Sequence, residues 1–257
     1  MIKTYTVSGD THTPWHSKWM HKGYLDFLKY LKPDGFIING DFIDMYSVSR
    51  HITGILDLED NVTKGLIKLK DEFDGANQVL DDYDKVLPKY CEKFYNEGNH
   101  ENRLTRWLNE GFNGVLEGLI SVEGCLNLKK RGYETNFGYP NAYLELGKLI
   151  VTHGAWTPLH TAAKHLNEYR QSVLFSHTHT SQLFYAGGLG TKQAAFGIGC
   201  MCDMGSQAMG YAKKTSRWVN GFGVVHVDSE TGHFWVELVN AFDETFVYNK
   251  KVFGKRA

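Results

Sequence analysis

Phe36-Ile-Ile-Asn-Gly-Asp41 is the stretch that decides the fold. Three apolar residues form a short buried strand, and Asn39-Gly40 then turns the chain to deliver a carboxylate. The same layout recurs along the sequence. Ile2–Val7 reads as a strand that ends at Ser8-Gly9-Asp10, ahead of His12. Lys93-Phe-Tyr95 runs to Gly98-Asn99-His100, Leu149-Ile-Val151 to His153-Gly154, and Val173-Leu-Phe175 to His177-Thr-His179. Five polar segments, each just beyond a strand, point to one shared site.

The connections define the architecture. Tyr24, Phe27, Leu28 and Leu31 lie at helical spacing in Lys22–Leu31, and Pro33-Asp34-Gly35 is a turn signal. Strand, helix and strand in that order predict parallel α/β structure. Residues 54–90 are rich in Asp, Lys and Leu, with Leu66, Leu69, Phe73, Val79 and Leu80 as apolar positions. They read as one or two amphipathic helices, an insertion that either caps the site or covers the sheet. A polar helix is expected near Glu101, carrying Arg103 and Arg106. Phe112–Tyr139 is glycine-rich and irregular. Tyr143–Val151 is expected to be a hairpin with its turn at Gly147-Lys148. A second hairpin is expected over Gly221–Val239, around Asp228-Ser-Glu-Thr-Gly232. With no repeat, low-complexity tract or linker, one domain over 1–257 is expected.

Composition narrows the function. Hydrophobic residues make up 42% of the 257 and charged residues 22%, ordinary for a soluble globular chain. The net charge of −1 gives no global field toward nucleic acid. No apolar run is long enough to span a bilayer, and the start does not read as a signal peptide, so cytoplasmic residence without a membrane partner is expected. Cys91, Cys125, Cys200 and Cys202 are too few for a disulfide scaffold. Cys200-Met-Cys202 lacks the two-residue spacer of zinc knuckles, so reduced, mostly buried thiols are expected. His160, His165, His226 and His233 read as core or surface residues, and surface placement is also the expectation for His16, His21 and His51. Trp15, Tyr46, Trp107 and Trp156 follow motif segments, where aromatics either line a rim or pack under loops. The basic clusters at 129–131, 213–217 and 250–256 read as solvated faces.

Carboxylate, imidazole and amide groups in these five segments form the ligand set of a divalent-metal pair. Their order resembles the calcineurin-like metallophosphoesterases: Asp10-Thr-His12, Gly40-Asp41-Phe-Ile-Asp44, Gly98-Asn99-His100-Glu101, His153-Gly154 and His177-Thr-His179. The resemblance covers residues 10–179. It implies an α/β fold, a four-layer αββα sandwich with two mixed β-sheets. It also implies that Asp10, His12 and His179 hold one ion, that Asn99, His153 and His177 hold the other, and that Asp41 bridges them. His100 would act near the leaving group, with Asp44 orienting it. Arg103, on the following helix, is the candidate to bind a phosphate oxygen.

The implied activity is hydrolysis of phosphoesters by a hydroxide between two divalent ions, with Mn expected and Fe or Zn compatible. A phosphodiester in nucleic acid or a nucleotide is the expected substrate. A phosphomonoester is the alternative, and an inactive binding scaffold the reading from outside enzymes. Two departures stand out. Ser176 occupies the position where the last motif usually has Gly. Met45-Tyr46 follows Asp44, where the protein Ser/Thr phosphatases have Arg-Gly, which argues against that substrate class.

Overall fold

The computed structural model describes residues 1–49, 69–112, 118–188, 191–206 and 217–255. Two mixed sheets lie face to face between helices. The first has six strands: β1 (Ile2–Ser8), β2 (Gly35–Asn39), β3 (Glu92–Asn96), β4 (Tyr133–Asn136), β10 (Asn220–Asp228) and β11 (Phe234–Ala241). Their order is β11-β10-β1-β2-β3-β4, parallel from β1 through β4 and antiparallel at β1–β10 and β10–β11. The second comprises β5 (Tyr143–Leu146), β6 (Leu149–Thr152), β7 (Val173–Phe175), β8 (Gln182–Gly188) and β9 (Thr191–Gly197). Its order is β5-β6-β7-β9-β8, with β6, β7 and β9 parallel. A hairpin of β12 (Thr245–Tyr248) and β13 (Lys251–Gly254) completes the strands described.

Alternation along each central strand feeds two cores. Val7, Ile37, Val225 and Val227 point between the sheets, where they meet Leu149, Val151, Leu174 and Ile198. Phe36, Ile38, Phe222 and Val224 point the other way, onto helices α1 (Lys18–Leu31) and α2 (Leu69–Val86). Met20, Tyr24, Phe27 and Leu28 are the buried stripe of α1. The helix starts at the Ser17 cap, whose hydroxyl accepts from the Met20 amide, and stops at Lys32, whose φ is 49°. On the outer face of the second sheet, α5 (Thr161–Tyr169) packs Ala162 and Leu166 against Ile150, Val173 and Phe175. This is the αββα sandwich that the resemblance implies. Among the described residues, no helix is long and apolar enough to cross a membrane.

The expected strands and hairpins are present, and the helix after His100 is α3 (Glu101–Phe112). The irregular stretch also contains a short helix, α4 (Val122–Cys125), and β4. Residues 54–68 of the expected insertion lie outside the described residues. The remainder, α2, covers the sheet: Phe73, Ala76, Val79, Leu80 and Tyr83 are buried in the core with Tyr24 and Phe36.

An asparagine ladder ties the sheets together at one end. Asn136 donates to Asn96 (2.9 Å), and Asn96 donates to Asn39 (2.9 Å), across β4, β3 and β2. Asn96 also donates to the Val151 carbonyl (3.1 Å) and Asn39 to the Thr152 carbonyl (2.6 Å), both on β6 of the other sheet. Asn39 and Asn96 are fully buried, so these bonds replace water that neither amide can reach. The C-terminal ends of β2, β3, β4 and β6 are thereby held in register at one end of the sandwich.

Candidate metal centre

All five segments leave the sheets at this end. Asp10, His12, Asp41, His177 and His179 have φ between 50° and 72°, the left-handed region that non-glycine residues rarely occupy. Such backbone costs about 1–3 kcal/mol per residue, and five cases at one place mark a site built for geometry rather than stability. Two glycines are required by close approach. A Cβ on Gly98 would lie 2.2 Å from Asp41 Oδ1, and one on Gly40 would lie 2.6 Å from His153 Nδ1.

Asp10, His12 and His179 meet in a buried group. His12 Nδ1 bonds Asp44 Oδ2 at 2.9 Å. Because a carboxylate only accepts, Nδ1 carries the proton and Nε2 offers a lone pair. That Nε2 faces His179 Nε2 at 3.2 Å, and Asp10 Oδ1 lies 3.3 Å from the same His179 atom. Asp10 Oδ1 is buried with no hydrogen-bond partner among the described residues. Donors bonded tetrahedrally to zinc through N–metal distances of about 2.0–2.1 Å stand about 3.3 Å apart, so this group fits a cation.

Asp41, His153 and His177 form a second group, with Asn99 beside it. His153 Nδ1 donates to the Asn39 carbonyl (2.9 Å), which turns Nε2 toward Asn99 Oδ1 (3.0 Å) and Asp41 Oδ2 (3.2 Å). The His177 amide donates to Asp10 Oδ2 at 2.9 Å. Its Nδ1 has no hydrogen-bond partner among the described residues. A third group joins Asp41 to His12 and His100, so Asp41 lies within reach of both clusters.

Electrostatics follow from this crowding. Burial alone would raise the carboxyl groups of Asp10 and Asp41, but neighbouring imidazoles more than offset it. His179 holds Asp10 below the usual range, and His100 and His153 hold Asp41 well below it. Burial likewise opposes charge on His153 and His179. The carboxylates of Asp41 and Asp10, respectively, nevertheless push each imidazole up to about 9. A proton therefore occupies the place where a cation would otherwise neutralise the carboxylates.

His100 and Asp44 are also here, in an arrangement that differs from expectation. His100 Nδ1 donates to the main-chain carbonyl of Asp44 (2.8 Å) and lies 3.5 Å from its carboxylate. That carboxylate makes its short bond to His12 instead, next to a left-handed turn at Met45 (φ 55°). Asp44 thus orients two imidazoles, one through each kind of oxygen. Burial would raise its own carboxyl, but bonds and charge from His100 and His12 hold it far below the usual range. Arg103 turns inward from α3. It donates to the Asp44 carbonyl (3.0 Å) and to His100 Nε2 (2.8 Å). Arginine only donates, so His100 Nε2 is an acceptor in this state.

Several further residues shape the site in ways that the sequence pattern does not assign. Buried Glu101 accepts from the amides of Gly98 (2.9 Å), Asp41 (2.9 Å) and Phe42 (2.7 Å), and from Tyr95 Oη (2.8 Å). It therefore fixes the Asp41 loop against the Asn99 loop. Ser176, in place of glycine, donates to the Asn39 carbonyl at 2.7 Å, so its hydroxyl is satisfied. Cys200 and Cys202 are buried beside His179, and Trp218 stands edge-on to that ring at 4.1 Å.

Other candidates lie elsewhere. His16 and His21 face each other at 5.2 Å near Tyr83, and His21 reaches Asp82 (3.3 Å). They are half-buried packing residues rather than surface ones. His51 lies outside the described residues. Trp15 packs on Tyr46, and Trp156 on His165 and Tyr169. Arg131 is held by Asp81 and Asp84, both at 2.6 Å, so it is a tie to α2 rather than a solvated charge.

No protein-family model matches the chain, and no curated protein matches it. Among solved structures it is similar to Vps29 from Entamoeba histolytica complexed with zinc (12% identity, 95% of this chain and 96% of that one, TM-score 0.48). It is also similar to vacuolar protein sorting 29 from Cryptosporidium parvum (11% identity, 99% of each chain, TM-score 0.49). A third is TT1561 of Thermus thermophilus (9% identity, 93% of this chain and 99% of that one, TM-score 0.33).

Replacing Glu101 with Ala leaves buried main-chain donors unpaired, at about 1–3 kcal/mol each, and frees the Asp41 loop. Urea denaturation should show a loss of several kcal/mol, and calorimetry weaker metal binding than wild type. A second prediction concerns pH. In metal-free protein, His153 and His179 are raised to about 9, so their contribution to stability is full below about 6.5 and is lost as pH rises through about 9. A cation displaces those protons. Melting of chelator-treated protein should therefore fall over that window, and metal-loaded protein should resist the fall. Calorimetry in buffers of different ionisation enthalpy should register protons released on metal uptake.

Proposed function

We propose that the chain is a calcineurin-like metallophosphoesterase that hydrolyses phosphodiesters, in nucleic acid or nucleotides. The observation that carries this reading is the convergence of buried ligand groups: Asp10 Oδ1 and His12 Nε2 at 3.3 and 3.2 Å from His179 Nε2, and His153 Nε2 facing Asn99 and Asp41. Without a cation these buried carboxylates are neutralised only by protons on His153 and His179, and a shared cation would replace those protons. Asp10, His12 and His179 would hold one ion, Asn99, His153 and His177 the other, with Asp41 common to both. The mixed oxygen and nitrogen set suits Mn²⁺, Fe or Zn²⁺, of which we propose Mn²⁺. When bound, the two ions supply Lewis acidity to the phosphoryl group and a hydroxide nucleophile near neutral pH.

The chain's own residues do the rest. Asp44 and the Asn39 carbonyl hold His12 and His153 in the tautomers that present Nε2 inward. Arg103, which donates from α3 to His100 and the Asp44 carbonyl, would transfer these N–H groups to a phosphate oxygen. Its departure would free His100 Nε2 to take a proton from solvent and give it to the leaving oxygen. The diester preference is supported by half-buried Trp15, Tyr46 and Trp218, which pack around Cys200 and Cys202, Trp218 against His179, as rings on which a base could stack.

Manganese-loaded protein should turn over bis-p-nitrophenyl phosphate faster than p-nitrophenyl phosphate. The reverse order would make it a phosphomonoesterase, and no turnover of either would make it a scaffold. His100→Ala should keep its metal content and slow the diester reaction by about 10²–10⁴-fold, the range for general acid–base groups.

A further inference from the structure

Ligating histidines are normally braced by an oxygen on their second nitrogen. His12 has Asp44 Oδ2 and His153 has the Asn39 carbonyl, both at 2.9 Å. His179 does not follow this pattern. Among the described residues its Nδ1 meets sulfur, Cys202 Sγ at 3.9 Å. Cys200 Sγ completes a group in which the three ligand atoms lie within 4.8 Å of one another, and all three residues are buried. The two cysteines are two residues apart on a stretch pinned by backbone bonds. Met201 donates to the Asp10 carbonyl (3.1 Å), Ser17 donates to the Met201 carbonyl (2.9 Å) and Asp203 to the Trp15 carbonyl (2.8 Å). Asn220 Nδ2 donates to the Cys200 and Cys202 carbonyls at 3.0 and 2.9 Å and lies 3.8 Å from Cys200 Sγ. Both sulfurs are thus held on the same side by a rigid segment, with an N–H donor close to one of them.

We propose that His179 Nδ1, Cys200 and Cys202 form a separate site for a soft or borderline cation of the Zn²⁺ or Cd²⁺ kind. Thiolates select such ions over the harder Mn²⁺. Zinc bound tetrahedrally through metal–S bonds of about 2.3 Å and metal–N bonds of about 2.0–2.1 Å spaces its N and S donors about 3.5 Å apart. The 3.9 Å separation needs only a small contraction. On binding, the two thiol protons and the proton on His179 Nδ1 pass to solvent, both sulfurs and Nδ1 donate electron pairs, and no electron is transferred. Where Nε2 also ligates an ion of the proposed catalytic pair, the imidazole loses its remaining proton and bridges the two sites. The inference shares His179 with the function proposed above but does not require turnover.

The test is a cadmium titration of the reduced, manganese-equilibrated protein, read by the ultraviolet thiolate-to-cadmium charge-transfer band. Wild type should give the band at one added equivalent. Cys91→Ser/Cys125→Ser should keep it, and Cys200→Ser/Cys202→Ser should lose it. Absence of the band in wild type, or its loss with Cys91 and Cys125 instead, overturns the site. Asp41→Asn should keep the band while losing phosphoesterase activity, so the two readings fail separately. Should the Cys200/Cys202 variant not fold, X-ray absorption at the cadmium edge of unmodified protein with one equivalent decides. Two sulfur scatterers are expected, and an oxygen and nitrogen shell alone overturns the proposal.

Discussion

The structure depends on burying the Asp41 carboxylate among imidazoles. Around it, His100, His153 and His12 compete for positions beside one anion, and each needs its other nitrogen satisfied from elsewhere. That need explains features that look unrelated along the chain. Asp44 turns its carboxylate to His12 and its carbonyl to His100. Asn39 lends its carbonyl to His153. Glu101 holds amides of the Asp41 loop and of the Asn99 loop, and Gly98 leaves room for Asp41 to approach. The left-handed backbone at Asp10, His12 and Asp41 is the conformational cost of aiming these groups at a common centre.

A site assembled from two sheets also requires that the sheets not slide. The asparagine ladder answers this requirement just beneath the site, joining β2, β3 and β4 to the main chain of β6. Its donors point into a region without water access, so a shift in register would strand several amides at once. The apolar layer between the sheets supplies cohesion without direction, and the ladder supplies the direction. The segment 200–203 has a similar part on the other flank, bracing the loop that carries Asp10 and His12.

Much of this was legible in the sequence, because the site is delivered by strand ends. Runs such as Phe36–Ile38 and Val173–Phe175 are short and uniformly apolar, as strands buried on both faces must be, and the polar residue after each stands out. What escaped was structure defined by partners rather than by pattern. The β8–β9 hairpin has an exposed edge strand, Gln182–Gly188, whose Leu183, Phe184 and Tyr185 obey no alternation. Helix α5 spans nine residues, too few for a clear period. Asn39, Asn96 and Asn136 are separated by 57 and 40 residues, so only tertiary pairing reveals them as a ladder. Glu101 sits in the Gly-Asn-His-Glu segment, yet its use as an acceptor for several donors depends on loop positions that spacing does not encode. Asp44 shows the limit most clearly. Its presence near His100 was readable, but which of its oxygens faces which ring was decided by the turn at Met45.

The most direct measurement of the central claim is an anomalous-difference map from manganese-equilibrated crystals. Two peaks are expected, one bounded by Asp10, His12 and His179 and the other by Asn99, His153 and His177, with the Asp41 carboxylate between them. A map with a single peak, or with none beside Asp41, would contradict that claim.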